Sequence, residues 1–199
     1  FFTEYNARKI DAIRSMLEKE KESGIINDNQ YYFLLCSLLE SADKYSNTTG
    51  VYGAFLKKFN TRSSSKLELE AYLPEFCDTE SEAYRADSNS LIKDITGDVL
   101  YLDPPYNNRQ YSSNYHVLNY ICEPNNINIK VDKHNKESKT ALGEYNISKY
   151  SRKAEALKTF EDLISNSAFK KIFISYNDEG IMSLKEVKEV LEKYGAYHL

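Results

Sequence analysis

Apolar and polar positions follow two rhythms along this chain. Between about Asn6 and Ser23, Ile10, Ile13 and Leu17 recur at helical spacing among charges, which predicts an amphipathic surface helix ending near Gly24. Asn27-Asp28-Asn29-Gln30 reads as a capping box, with Gln30 at the third helical position. The helix it opens, to about residue 46, carries Tyr31, Leu34, Leu35, Leu38, Leu39, Ala42 and Tyr45, a face wide enough to pack between two other elements. The second rhythm is the short continuous apolar run. Val99-Leu100-Tyr101-Leu102 and Ile172-Phe173-Ile174 each predict a fully buried parallel strand. Ala83-Tyr84-Arg85-Ala86 predicts a shorter strand reaching Asp87, followed by a helical turn or two from Ser88 to Ile95. Helical spacing returns in 117–121 and from Ser151 to Ser165, and Ser183-Leu184-Lys185-Glu186 is a capping box whose helix takes Gly195 as its C-cap. Tyr197-His198-Leu199 reads as the opening of a further strand. This alternation predicts an α/β chain with a parallel, doubly wound sheet and three polar strand ends, at Asp87, Asp103 and Ser175, on one edge.

Composition narrows the class. The chain has 199 residues, 41% of them hydrophobic, and no apolar run approaches the ~18 residues of a membrane span. The N-terminus mixes Glu4, Arg8, Lys9 and Asp11 and so is no secretory signal. Cys36, Cys77 and Cys122 are odd in number and far apart, which suits reduced thiols in a cytoplasmic protein better than disulfides or a zinc cluster, and no metal is expected. A net charge of −4 argues against a protein that coats DNA by charge alone. The balance is uneven, however: residues 128–158 hold eight Lys/Arg, Lys149 and Arg152 among them, against four acids. Such a stretch is either a solvated loop or a nucleic-acid contact surface.

The candidate chemistry lies where the Val99 run stops. Pro104 and Pro105 have no N–H and end any sheet ladder, so the strand delivers Asp103 and Tyr106 to its C-terminal edge on a stiff turn. In open α/β sheets ligands bind at that edge. The Asp103 carboxylate and the Pro104 carbonyl can both accept hydrogen bonds from an exocyclic amine, and the Tyr106 ring can stack on a flat heterocycle. Together they describe a site for the amino group of a nucleobase. A second candidate surface follows Asn47-Thr48-Thr49-Gly50, where Lys57, Lys58, Arg62 and Lys66 surround Ser63-Ser64-Ser65. It reads either as a hinge with a solvated loop, or as a DNA-facing loop whose cations meet phosphates while Tyr52 or Phe55 meets a base.

Asp103-Pro104-Pro105-Tyr106 resembles the catalytic motif of the S-adenosylmethionine-dependent adenine-N6 DNA methyltransferases. The resemblance extends through Asn107-Asn108-Arg109-Gln110-Tyr111 and Asn114-Tyr115-His116, and to Asn47 through Phe55 and Ile174 through Gly180, which are similar to a bacterial branch of the DNA adenine methylase class. It implies a Rossmann-like sheet that binds S-adenosylmethionine, with Asp103, Pro104, Pro105 and Tyr106 as catalytic residues and Asp87 and Asp103 at the cofactor. Asp87 is equally suited to cap the following helix, and the two roles are compatible. It also implies double-stranded DNA with a flipped adenine as substrate, contacted by Tyr52, Lys57, Lys58, Arg109, Tyr111, Tyr115, Lys149 and Arg152, and a restriction–modification or orphan methylation system with a cognate restriction endonuclease.

Cofactor sites of this class use a Gly-rich strand–helix turn, and the seven glycines form none. With Phe1 in place of Met, this predicts a segment of a longer polypeptide: an incomplete sheet, inactive alone, lacking the N-terminal cofactor motif. Residues 1–80 are then a helical appendage and linker, and 81–199 the catalytic half of the domain, with 122–150 a basic loop. Two other readings stay open. One is an amino-methyltransferase for cytosine N4, RNA or a glutamine amide, against which Asp at position 103 favours adenine. The other is a non-catalytic DNA-binding fragment.

Overall fold

The computed structural model describes residues 1–73, 78–124, 129, 136–137 and 139–199. Helix α1 spans Glu4–Glu22, with the Thr3 side chain accepting from the Asn6 amide, and it ends before Gly24, whose φ of +74° reverses the chain. Helix α2 spans Asp28–Lys44 and opens on the expected capping box, Asn27 and Gln30 bonding each other's backbone N–H at 3.0 and 2.9 Å. The short α3, Thr61–Ser64, repeats the device with Asn60 and Ser63. Then come α4 (Ser88–Leu91), β1 (Thr96–Leu102), α5 (Tyr111–Asn114), α6 (His116–Cys122), a 3-10 turn at Lys149–Ser151, α7 (Ala156–Ser165), β2 (Ala168–Ile174) and α8 (Leu184–Tyr194). Ser183 and Glu186 box the start of α8, and Gly195 caps its end in extended backbone. No described helix is long and apolar enough to cross a membrane.

These elements form two compact units. The first joins Phe1–Asp78 to Tyr111–Tyr145, so 111–145 groups with the helices rather than with the catalytic half that the sequence predicts for it. Ile10 and Leu17 of α1, Leu35, Leu38 and Ala42 of α2, and Ile121 of α6 share its core. The last carbonyls of a helix lack donors within it. Here buried Arg14 of α1 supplies them, donating to the carbonyls of Ile121 at 2.5 Å and Cys122 at 2.8 Å. Its guanidinium also pairs with Glu18, to which the Tyr31 hydroxyl donates at 2.5 Å.

The second unit joins Thr79–Gln110 to Asn146–Leu199. β1 and β2 pair in parallel, Leu102 opposite Ile174, with alternate side chains facing opposite ways. Leu100, Leu102, Ile172 and Ile174 pack against Phe160, Leu163 and Ile164 of α7 and Val187 and Val190 of α8. The other face holds Val99, Phe173 and Tyr101, the last 67% exposed.

Several expectations are corrected here. The chain is mixed helix and strand around a small parallel sheet, as expected of an α/β fold; among the described residues the strand face that holds Val99, Tyr101 and Phe173 is exposed, where the sequence predicts burial on both faces. Residues 83–86 and 197–199 form no strand: an extended segment becomes one only by bonding a neighbour, and among the described residues neither finds one. The helix expected from Ser151 starts at Ala156, because the chain ahead of it is bent into the 3-10 turn that buries Tyr150. Cys77 and the basic residues Lys130 and Lys133 lie outside the described residues.

Candidate active site

The sheet ends where the prolines require. The Ser175 amide donates to the Leu102 carbonyl at 2.9 Å, and beyond that bond the two strands separate into loops. Asp103 is exposed, and its carboxylate has no hydrogen bond or ion pair with any described residue. Pro104 and Pro105 are half-buried, and the Tyr106 ring is 41% exposed. The Tyr106 carbonyl accepts from the Ile181 amide at 2.8 Å, which ties this loop to the one leaving β2. The second loop is shaped by Asn177, whose side chain accepts from the Glu179 amide at 2.8 Å and whose carbonyl accepts from Gly180 at 3.0 Å. The Met182 amide donates to the Tyr176 hydroxyl at 3.0 Å. A carboxylate held in water on a stiffened backbone can accept from an incoming amine without first breaking a protein bond.

The Asp87 turn belongs to the same unit. Asp87 follows irregular chain and caps α4, its Oδ1 accepting from the Ser90 amide at 3.0 Å and the Ser90 hydroxyl at 3.3 Å. Both bonds use Oδ1, the residue is exposed, and Oδ2 has no hydrogen bond to any described residue. Behind it Tyr150 is buried, and its hydroxyl donates to Asn89 Oδ1 at 2.8 Å. Burial, with the negative charges of Asp87 and Asp162 nearby, pushes that phenol up to about 12, so it stays a donor at neutral pH. Among the remaining candidates here, Arg109 is exposed next to an Asn107 turn (2.9 Å), Lys149 is exposed, and Arg152 pairs with Glu155 at 2.9 Å.

The first unit holds the other candidates. Tyr52 is fully buried: its hydroxyl donates to Asp43 at 2.9 Å and its amide to the Asn114 carbonyl at 2.6 Å. Burial raises its phenol pKa. A ring so enclosed cannot stack on a base from where it stands, which corrects its assignment as a DNA contact and makes it an anchor of the loop it begins. Phe55 and Phe59 are instead exposed, beside exposed Lys57, Lys58 and Arg62. Asn47 pins this loop, bonding Leu56 through its side chain at 2.7 Å and its carbonyl at 3.1 Å. Tyr111 stacks on Tyr115, ring centroids 6.0 Å apart and 13° from parallel, with Tyr111 open to solvent. Buried His116 sits between the carbonyls of Ser113 (2.9 Å) and Thr140 (2.6 Å).

Of the residues that the sequence nominates, the structure gathers Asp87, Asp103–Tyr106, Arg109, Lys149 and Arg152 into one unit, and Tyr52, Lys57, Lys58, Tyr111 and Tyr115 into the other. Sequence reasoning misses Gln110, Asn89, Tyr150 and Phe59. The first three act through partners far along the chain, and Phe59 carries a readable signal, an aromatic between Lys58 and Arg62. Among the described residues no cluster of His, Cys, Asp and Glu could hold a metal ion.

Two parallel strands that deliver an open carboxylate and an open ring to their C-terminal edge make this an α/β protein with its polar site at the strand ends. The chain belongs to the D12 class N6 adenine-specific DNA methyltransferase family, which it matches over residues 1–190. It is 46% identical over its whole length to Type II methyltransferase M.NlaIII of Neisseria lactamica, covering 58% of that protein. It is 37% identical to Type II methyltransferase M.CviAII of Paramecium bursaria Chlorella virus 1, with 98% of this chain aligned to 56% of that one. Against Type II methyltransferase M.FokI of Planomicrobium okeanokoites the identity is 38%, over 98% of this chain and 29% of the relative. The chain therefore spans little more than half the length of the first two of these relatives and less than a third of the other. No solved structure matches it.

Proposed function

We propose that the protein containing this chain transfers a methyl group from S-adenosylmethionine to N6 of adenine in double-stranded DNA, as the modification enzyme of a restriction–modification system. The observation that carries this reading is the exposed Asp103 carboxylate on a Pro-Pro turn at the strand end, beside the open ring of Tyr106, in a member of this family.

The chemistry follows from those groups. Adenine N6 is a weak nucleophile because its lone pair is shared with the ring. Hydrogen bonds from the amine to the Asp103 carboxylate and the Pro104 carbonyl draw the N–H bonds toward two acceptors and return electron density to nitrogen. They also receive the positive charge that grows there as the new N–C bond forms and the methyl–sulfur bond breaks, which is preorganised electrostatic stabilisation; the leaving group would be a neutral thioether, and the surplus N6 proton would pass to water. Tyr106 holds the base by its face, which requires the adenine to leave the duplex stack. Asp87 would hold a polar edge of S-adenosylmethionine, which when bound supplies an electrophilic methyl group. Lys57, Lys58, Lys149, Arg109 and Arg152 supply phosphate contacts, and Phe55, Phe59 and Tyr111, the last backed by half-buried Tyr115, supply aromatic surface for a DNA partner.

The test is an incubation of the full-length protein with S-adenosylmethionine and duplex DNA, followed by nucleoside analysis. N6-methyladenine supports the reading. N4-methylcytosine, or methylation of RNA or glutamine only, selects a different acceptor. DNA retardation without transfer of methyl to any acceptor selects a binding protein.

A further inference from the structure

We infer that the 148–151 turn is a strut joining the two edges of this site, with Gln110 and Tyr150 as positioning residues for the amine-binding loop and the Asp87 turn respectively. The inference rests on the proposed roles of Asp87 and of Asp103–Tyr106.

The chain leaves the second unit after Gln110 and re-enters it at Asn146. Directly after re-entry the Ser148 amide donates to Gln110 Oε1 at 2.9 Å. Gln110 is buried, and its Nε2 donates to the Asn108 carbonyl at 3.2 Å, so one amide side chain fastens the far end of the loop that starts at Asp103. Two residues beyond Ser148, the Tyr150 hydroxyl reaches Asn89 Oδ1. Asn89 Nδ2 donates to the Thr159 carbonyl at 2.8 Å and to Asp162 Oδ2 at 2.7 Å, both on α7, so that its Oδ1 is the atom left for the phenol. Asn89 is the second residue of the helix that Asp87 caps. The two attachments are made rigid with respect to each other by the 3-10 turn itself, since Ser148 Oγ caps the Tyr150 amide at 3.3 Å.

The consequence is geometric. Neither Gln110 nor Tyr150 touches a reacting atom, yet each holds a loop that does, and a single short turn holds both. Breaking one of these bonds lets its own edge relax while the other stays in register. A hydrogen bond of this kind is worth up to about a tenfold change in an equilibrium. Positioning losses therefore fall on different kinetic constants: the Asp87 edge on cofactor affinity, the Asp103 edge on the chemical step.

The experiment is steady-state kinetics of the full-length protein with duplex DNA and S-adenosylmethionine, each variant accompanied by a thermal melt. Tyr150→Phe removes only the hydroxyl and is expected to raise the KM for S-adenosylmethionine about tenfold with kcat within about twofold of wild type. Asn89→Ala breaks the same bond from the other side together with the two bonds to α7, and is expected to raise the cofactor KM at least as far with kcat within about twofold, which covers the case in which Tyr150→Phe fails to fold. Gln110→Met keeps the volume and is expected to lower kcat about tenfold with the cofactor KM within about twofold. A lower Tm with both constants unchanged in Tyr150→Phe and Gln110→Met overturns the inference, because that is what purely structural residues produce. Asp87→Ala separates the two failures. If it raises the cofactor KM and Tyr150→Phe does not, the strut is wrong and the Asp87 assignment stands. If Asp87→Ala leaves the KM unchanged, the assignment itself falls.

Discussion

The amide of Ile181 donates to the carbonyl of Tyr106 at 2.8 Å, so the loop that follows β1 and the loop that follows β2 are bonded to each other just past the point where the strands part. The backbone beneath the Tyr106 ring is thereby set by residues that come more than seventy positions later. Gly180, next to Ile181, is where that arrangement is most sensitive.

A Cβ on residue 180 would lie 2.4 Å from Tyr176 Cε1 and 2.8 Å from the Asn177 carbonyl oxygen. Tyr176 cannot swing aside freely, because its hydroxyl holds the Met182 amide. Gly180→Ala is therefore expected to destabilise the protein by about 1–3 kcal/mol, as overpacking does, and to lower methyl transfer as Tyr106 shifts. Thermal unfolding and an initial-rate assay check this. A variant with wild-type Tm and rate would mean that the loop yields without disturbing Tyr106.

Asp103 packs against nothing that its removal would orphan. Asp103→Ala is expected to leave the Tm nearly unchanged and to cut methyl transfer by about 10²–10³-fold, the usual cost of losing one charge-stabilising partner. Activity within tenfold of wild type would remove the carboxylate from the mechanism.

Tyr106 is expected to contribute through its ring face. Tyr106→Ala should weaken the productive complex by about 1–3 kcal/mol, the range for base stacking, whereas Tyr106→Phe and Tyr106→Trp should be mild. A fluorescent adenine analogue at the target position reads the same event. If its emission does not change on binding, the base is not leaving the stack.

The loop after Asn47 separates two effects that the sequence alone merges. Lys57→Ala with Lys58→Ala is expected to reduce the slope of log affinity for DNA against log salt by roughly two, one for each phosphate no longer neutralised. Tyr52→Phe should leave that slope alone and cost about 1 kcal/mol of stability, because it removes one buried hydrogen bond to Asp43. Filter binding over a salt series, beside a melt, distinguishes them.

Glu18 supplies a pH dependence. Hydrogen bonds from Tyr31 and Arg14 hold its carboxyl below the usual value of 4.5. A group whose pKa is depressed on folding stabilises the native state fully above its unfolded value, and the contribution fades as pH falls through the lower folded value. Stability should therefore drop on acidification below about pH 4.5, and Glu18→Gln should flatten that part of the profile. The side chain is partly open to water, so the effect is modest. Chemical denaturation across pH 3–6 would reveal it as about a few tenths of a kcal/mol, and parallel profiles for the two proteins would discount it.

What can be read from the sequence is what local chemistry decides. The capping boxes at Asn27–Gln30 and Ser183–Glu186 bridge three residues, and both are present. Pro104 and Pro105 end a strand wherever they occur, so the Asp103 edge is legible without a structure. Residues 83–86 have strand-like composition, but a strand is a relation between two segments, and composition does not reveal whether the second exists. Tyr52 looks like any aromatic in a basic loop. Its burial depends on Asp43 of α2 and on the Asn114 carbonyl at the end of α5, sixty-odd residues downstream. Gln110 and Tyr150 are bonded to residues 38 and 61 positions away, and such partners leave no periodic trace.

The bond between Gln110 and Ser148 also pinches shut the neck of the excursion 111–145, whose residues fold with the other unit. A closed loop becomes only slightly harder to close as it lengthens, about 0.6 kcal/mol for each doubling. Insertions or deletions within the excursion thus cost the neck little. The loop that begins at Asp103 is in this way closed at its far end whatever the length of chain between Gln110 and Asn146.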